Sequence, residues 1–201
     1  PGAVYYHNGV TLGSWLTETL AARLNSLGPK VIQQVAVTGF GQYPGLGGTS
    51  MAMFVDGLWR PRPEYKSIIM AVPRGQARFL LTGDVYTTYE EALVANPVAA
   101  PYLATTVLKI THHGSQGGTG SVFVKQAVPR ISVASTAGDA GHSLEPIVRT
   151  RLRSYGVVFD TYRTRGDVTV RTDGLQRFLG GRQGVLFEVE LAKPGVLGLV
   201  V

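Results

Sequence analysis

Acidic and imidazole side chains follow three apolar segments of the chain, at the point where each segment ends. Asp84 comes after a Thr-Gly turn, the adjacent pair His112–His113 ends a second apolar run, and His142 follows a third. These segments are predicted as strands over Ala77–Leu81, Thr106–Thr111 and Arg130–Ser135. Because neighbouring strands of an α/β sheet place their ligands at one carboxyl edge, we expect these side chains to lie close together. Carboxylate and neutral imidazole suit zinc or manganese, so the spacing predicts a metal centre there.

Each of these residues also has an interpretation in which it has a structural role and binds no ligand. Asp84 after Thr-Gly is typical of a turn residue that bonds its own backbone, and His142 is typical of the residues that flank a helix. The pair His112–His113 is harder to explain in this way, because adjacent imidazoles at the end of an apolar strand are costly to bury without partners. The remaining histidine, His7, lies at a strand end followed by a turn and is interpreted as structural.

The elements that would position these residues alternate between strand and helix. Further strands are predicted over residues 4–6, 31–37, 66–72, 157–162, 168–172 and 184–191. Helices are predicted over residues 14–27, 88–95 and 119–127, and after a Ser143 cap as far as Gly156, with an inward face of Leu144, Ile147, Val148, Leu152 and Tyr155. The alternation predicts an α/β layered fold, as a single domain over residues 1–201. The Gly- and Pro-rich stretch from Phe40 to Pro63 is interpreted as a long surface loop.

The composition excludes several classes of protein. With 44% hydrophobic and 16% charged residues, the chain is globular and not disordered. No stretch approaches ~20 consecutive apolar residues, and residues 1–20 lack a basic segment before an apolar one, so neither a membrane span nor a signal peptide is expected. The absence of cysteine excludes disulfides, thiolate zinc sites and a cysteine nucleophile.

The net charge of +6 suits a partner made of phosphate, such as nucleic acid. The basic residues are densest at Arg149, Arg151, Arg153, Arg163 and Arg165. The alternative interpretation of this group is a solvated helix face with the loop after it. Two other chemistries are disfavoured, because residues 113–117 (HGSQG) lack the first glycine of a Gly-x-Ser-x-Gly turn and no Gly-Lys-Ser/Thr phosphate loop occurs.

Together, the motifs resemble the metallo-β-lactamase fold. The resemblance rests on LLTGD ending at Asp84, LKITHHGS ending at Ser115, the Gly-His pair at His142, and YRT with VTVRTDG within residues 162–174; it covers about residues 66–174. The motifs are similar to the branch found as the soluble domain of the competence protein ComEC and in its stand-alone hydrolase relatives. This resemblance implies an αββα sandwich with two metal ions at the sheet edge. It also implies hydrolysis of a phosphodiester, DNA, by a metal-activated water.

The resemblance also implies roles for individual residues. Asp84 is similar to the carboxylate that bridges the metals, and His142 to the last histidine ligand. His113, with His112 beside it, resembles a pair that lies against the metals or the scissile group, and His113 is a candidate to protonate the leaving oxygen. The expected substrate contacts are Ser115, Arg163 and Arg165.

The sequence departs from this family at the first metal motif. His-x-His-x-Asp-His does not occur, and residues 1–60 match what normally follows it, so the resemblance is to a partial fold without its first strands. Asp84 and His142 alone fall short of the about four ligands that zinc takes. We therefore expect either that an N-terminal segment or a partner chain completes the two-ion site, or that this chain holds no ion. In the second case it is a degenerate domain that binds nucleic acid or a partner protein. The compartment stays open, cytoplasmic or outside the cytoplasmic membrane of a bacterium.

Overall fold

The structure is a computed structural model that describes residues 3–7, 19, 22–23, 25–26, 32–36, 40–44, 50–54, 67–139, 142–179, 182–191 and 196–200. The strands are β1 (Ala3–His7), β2 (Ile32–Ala36), β3 (Phe40–Pro44), β4 (Ser50–Phe54), β5 (Ile69–Arg74), β6 (Ala77–Leu81), β7 (Val107–Lys109), β8 (Ile131–Ala134), β9 (Val157–Asp160), β10 (Val168–Arg171), β11 (Gln176–Leu179), β12 (Arg182–Leu191) and β13 (Val196–Val200). The helices are α1 (Thr87–Ala95), α2 (Ser121–Ala127), α3 (Pro146–Arg153) and α4 (Thr161–Thr164), with short 3₁₀ segments at Ala100–Tyr102 and Thr111–Gly114. The fold is mixed α/β, as the sequence predicted.

Seven strands, β3 to β9, form one sheet in which the spatial order follows the chain order. The strands from β3 to β6 pair antiparallel, whereas those from β6 to β9 run parallel. Parallel neighbours need a crossover connection, and α1, α2 and α3 lie in the three crossovers. As a result β6, β7 and β8 end at one edge, where Leu81 pairs with Lys109 and Lys109 with Val133.

A second, antiparallel sheet is centred on β12, which pairs with β10, β11 and β13. β1 and β2 form a separate parallel pair. The sequence analysis did not predict β11 or β13. Of the helix predicted over residues 14–27, Thr19, residues 22–23 and residues 25–26 are helical, and the rest lies outside the described residues. Within the part of the chain that the structure describes, no helix is long and apolar enough to cross a membrane.

The seven-stranded sheet carries an apolar core on each face. Successive side chains of a strand point to opposite faces, so Leu80 packs with the helices while its neighbour Phe79 packs against the second sheet. The core under the helices includes the fully buried Leu80, Leu108, Phe123, Val148 and Leu152. The core between the sheets includes Val107, Ile131, Phe187 and Val189. The described layers are therefore helix, sheet and sheet.

The prediction of a long surface loop from Phe40 to Pro63 is wrong where the structure describes it. β3 and β4 form an antiparallel pair with Phe40 opposite Phe54, and β4 pairs in turn with β5. The pairing of β3 with β4, and of β4 with β5, makes these residues strands in spite of the surrounding glycine and proline. Residues 45–49 and 55–63 lie outside the described residues.

The start and inward face of α3 also differ from the prediction. The helix begins at Pro146 after Glu145, not after a Ser143 cap, which agrees with the preference of proline for the first turn. The buried stripe contains Val148 and Leu152, four residues apart. Ile147 and Tyr155 were expected to face inward, but they are 56% and 37% exposed because they lie beside that stripe.

The interpretation of Arg149 as part of a solvated helix face is wrong as well. Arg149 is 8% exposed, and its guanidinium donates to the carboxylate of Asp160, which is 5% exposed. Burial alone would raise the pKa of Asp160. The hydrogen bonds from Thr136, Arg149 and the backbone of Arg163, together with the charge of Arg149, outweigh burial, so the pKa of Asp160 is lowered. The pair joins α3 to the end of β9.

We predict that Asp160→Asn lowers the free energy of unfolding by about 3 kcal/mol at neutral pH, because Arg149 loses its buried counter-charge. Since the pKa of Asp160 in the folded protein lies below its ordinary value of 3.8, this contribution is present above pH 3.8. It is lost as the pH falls through the folded-state pKa, so the two proteins converge there. Urea unfolding at several pH values measures both effects. The exposed Asp167→Asn is the matched control, and a loss no larger than that of the control would contradict the prediction.

Candidate functional site

The candidate site lies where β6, β7 and β8 end. Beyond the last ladder pairs the three segments stay in contact, since the Thr82 hydroxyl donates to the Lys109 carbonyl at 2.7 Å and the Ile110 N–H donates to the Val133 carbonyl at 2.8 Å. The chain then enters three connections that carry the residues singled out in the sequence. The common edge follows from the parallel register and not from local sequence.

The histidine pair at the end of β7 has an unusual backbone. His112 (φ 47°, ψ 49°) and His113 (φ 56°, ψ 8°) are both left-handed, a conformation that is uncommon for residues other than glycine. Gly114 follows with φ +88°, and a Cβ at this position would lie 2.4 Å from a methyl carbon of Leu144. Non-glycine residues in this conformation cluster at active sites, ligand-binding positions and switch regions.

Backbone hydrogen bonds on both sides hold this left-handed turn. The His112 N–H donates to the Gly83 carbonyl at 3.1 Å, and the Ser115 N–H donates to the His112 carbonyl at 2.9 Å. The Glu145 N–H donates to the Gly114 carbonyl at 3.0 Å. The turn is therefore tied to the connection after β6 and to the start of α3.

His113 faces Asp84. Its Nδ1 lies 2.6 Å from the carbonyl oxygen of Ser135, which can only accept, so we assign the hydrogen to Nδ1. In the neutral ring, Nε2 then carries the lone pair, and it lies 3.7 Å from Oδ2 of Asp84. The backbone of Asp84 is held by its N–H, which donates to the Ser67 hydroxyl at 3.0 Å.

His142 extends this pair into a row. Its ring centroid lies 5.1 Å from that of His113, with the two rings nearly perpendicular at 78°. Its Nδ1 lies 2.9 Å from a carboxylate oxygen of Asp139, so Nε2 again remains for another partner. The structure thus brings Asp84, His113 and His142 together, and we call these three residues the Asp–His row.

His112 and Ser115 lie differently. The His112 ring packs edge-on against Tyr86, with centroids 5.1 Å apart, and its centroid is 6.4 Å from that of His113. Within the described residues, the buried Nδ1 of His112 and the buried hydroxyl of Ser115 have no hydrogen-bond partner. Neither residue joins the Asp–His row. His7 ends β1, and its side chain lies outside the described residues.

Glu90 is a supporting residue that the sequence analysis missed. Its carboxylate is fully buried and accepts the N–H groups of Thr119 and Gly120, both at 2.7 Å. Burial raises the pKa of Glu90, and the two N–H groups offset this only in part. Glu90 therefore fixes the far end of the segment that begins with the histidine pair. The sequence gave no indication of this role, because Glu90 is next to a second glutamate in a predicted helix, a pattern typical of a helix surface.

Lys109 is a second residue that the sequence analysis left out. It is half-buried at the end of β7, and its ammonium donates to the Ile110 carbonyl at 2.9 Å. Burial lowers its pKa, and the charge of Asp84 acts in the opposite direction. The sequence signal that could have identified Lys109 is a lysine in an apolar strand that ends in two histidines.

An open cleft of about 910 Å³ adjoins the row. Ser135, whose carbonyl holds His113, is part of its lining, as are Arg163 and Arg165. Ser115 is not among the lining residues. Two of the three predicted substrate contacts therefore share one cleft beside the Asp–His row.

The donor types of the row fit zinc or manganese, but their number is small. Among the residues that the structure describes, no group of three or more His, Cys, Asp or Glu side chains is arranged so that it could hold a metal ion. The oriented Nε2 atoms of His113 and His142 and the carboxylate of Asp84 are therefore at most part of a ligand set. The predicted cofactor, zinc or manganese, stays a prediction.

Comparison with known proteins places the chain near competence proteins. No family model matches it. It is 35% identical over 124 residues to the competence protein ComA of Neisseria gonorrhoeae, an alignment that covers 60% of this chain and 16% of that protein. It is 32% identical over 69 residues to ComE operon protein 3 of Bacillus subtilis (strain 168), covering 34% of this chain and 8% of that protein. These similarities support a competence-related family, and the chain spans a small part of both relatives.

We predict that Gly114→Ala disturbs the left-handed turn of the candidate site, although the substitution adds only one methyl group. The added Cβ would clash with Leu144, and position 114 also needs a positive φ, which alanine adopts only with strain. We therefore expect a loss of about 2 kcal/mol of stability. The ring resonances of His112 and His113 in an NMR spectrum should shift. The exposed Gln116→Ala, two residues on, is the control and should change neither. Unchanged histidine resonances in Gly114→Ala would contradict the prediction.

Proposed function

We propose that this chain is part of a metal-dependent phosphodiesterase of the metallo-β-lactamase type, related to competence proteins and acting on DNA. The Asp–His row carries the proposal, because His113 lies beside both the carboxylate of Asp84 and the imidazole of His142, and the three residues come from three separate connections. The motif resemblance and the similarity to two competence proteins support it. The two facing sheets and the helices over one of them are compatible with an αββα sandwich.

Asp84, His113 and His142 would supply part of the metal's ligand set. A bound zinc or manganese ion supplies Lewis acidity, which lowers the pKa of water and stabilises charge on a phosphate. Ser135 and Asp139 act behind the two imidazoles, because their contacts at Nδ1 orient Nε2 toward a ligand. Further ligands would come from polypeptide beyond these residues or from a partner chain.

We assign one of the two roles that the sequence analysis gave to His113. Its Nε2 lone pair serves either a metal or a proton, and we assign it to the metal because it faces Asp84 at 3.7 Å. His112 then remains for proton transfer at the scissile group. Arg163 and Arg165 in the adjoining cleft would hold phosphate of the nucleic acid.

The test is metal content and phosphodiesterase activity of the purified chain with added zinc or manganese. We expect bound metal by mass spectrometry and cleavage of a labelled DNA oligonucleotide that stops with a chelator. Asp84→Asn should reduce both by about 100-fold or more, since it removes a direct ligand. Glu91→Gln, an exposed carboxylate on α1, should reduce neither. Cleavage that survives chelation, or is equal in Asp84→Asn, would overturn the proposal.

A second candidate is a degenerate domain that binds nucleic acid or a protein without turnover. The observation in its favour is that the described residues contain no three-ligand group. It predicts a chain without metal whose DNA binding weakens steeply with salt and is unchanged by Asp84→Asn. The metal measurement separates the two functions.

A further inference from the structure

The cleft beside the Asp–His row contains an exposed aromatic ring at Tyr162. This side chain is 59% exposed, and yet it rests on the backbone of Gly138. A Cβ on Gly138 would lie 2.3 Å from two ring carbons of Tyr162, and Gly138 has φ +80°. The ring is therefore in contact with the chain on one side and open to the cleft on the other.

The backbone of Tyr162 is anchored to a buried network. Its N–H lies 3.1 Å from a carboxylate oxygen of Asp160 and 3.2 Å from the Thr136 hydroxyl. The Thr161 hydroxyl donates to the Thr136 carbonyl at 2.9 Å. A fixed aromatic ring loses little conformational entropy when a ligand covers it.

Two arginines stand in the same cleft. Arg163 is directly after Tyr162, with a side chain that is 67% exposed and 3.7 Å from Asp160. Arg165 follows in a left-handed conformation, φ 56°, that ends α4. Among the described lining residues Asp167 is the acidic one, so the two arginines outnumber it.

The cleft and the Asp–His row are continuous through Ser135. The Ser135 carbonyl contacts His113, and the same residue lines the cleft with Thr136 and Tyr162. A ligand in this cleft therefore lies against the residue whose carbonyl holds His113. Aromatic rings with neighbouring cations are the combination that proteins use for unpaired nucleobases and their phosphates.

We propose that Tyr162 stacks on an unpaired nucleobase while Arg163 and Arg165 hold flanking phosphates, so that the ligand is single-stranded nucleic acid. This inference rests on the proposed function for the expectation that the chain binds nucleic-acid phosphate. It adds that the chain prefers a single strand to a duplex. In a duplex the faces of internal bases are covered by their neighbours, and only an unstacked base can present a face to Tyr162. Stacking tolerates any base, so the binding has little sequence preference.

The test is fluorescence anisotropy in the presence of a chelator, with three labelled probes of equal phosphate number. These are a mixed-sequence single-stranded DNA, an abasic strand and a blunt duplex. We expect the 201-residue chain to bind the base-containing strand about 5- to 100-fold more tightly than the abasic strand. Tyr162→Ala should remove this preference, and Tyr162→Phe should keep it. The control is Tyr155→Ala, whose ring is 37% exposed outside the cleft lining.

Arg163→Ala gives the complementary result. It should weaken binding to the base-containing and abasic strands equally and reduce the salt dependence. Equal affinity of the unaltered chain for both strands, tighter binding to the duplex, or no binding to any probe would each overturn the proposal. Because the chelator prevents turnover, the outcome does not depend on whether the chain hydrolyses DNA.

Discussion

The left-handed backbone of His112 and His113 is the constraint on which the site depends. Such a conformation costs roughly 1–2 kcal/mol per residue, so an isolated segment would not adopt it twice in succession. The surrounding chain stabilises it through the Gly83 carbonyl on one side and the Glu145 N–H on the other. An extended continuation of β7 would send the two imidazoles to opposite faces of the sheet. The turn instead lets one ring face Asp84 and the other Tyr86.

Two buried carboxylates support the two sides of this site, and their pKa values are shifted in opposite directions. Burial of Glu90 outweighs the N–H groups of Thr119 and Gly120 that its carboxylate accepts, so its pKa is raised. Asp160 faces the guanidinium of Arg149, so its pKa is lowered in spite of burial. Glu90 fixes the segment after the histidine pair, and Asp160 fixes α4 and the cleft.

The sequence predicted local patterns well and non-local partners poorly. Ala77–Leu81 is a strand with the predicted bounds, because alternation of apolar residues is a local property. The motifs at Asp84, His113 and His142 were found for the same reason, since each follows a strand end. Arg149 was misplaced because its partner, Asp160, lies on another element, and charge alone indicates solvent. β3 and β4 were missed because pairing, and not composition, makes them strands.

Ser135 lies between the Asp–His row and the cleft, because its carbonyl contacts His113 and the same residue lines the cleft. A backbone acceptor at Nδ1 fixes the ring of His113 without adding charge, whereas Asp139 does the same for His142 with a carboxylate. The row therefore presents two imidazoles beside Asp84 whose Nδ1 atoms are held by different acceptors. Because Ser135 also lines the cleft, one residue contacts both the nearest imidazole of the row and the surface proposed to bind the single strand.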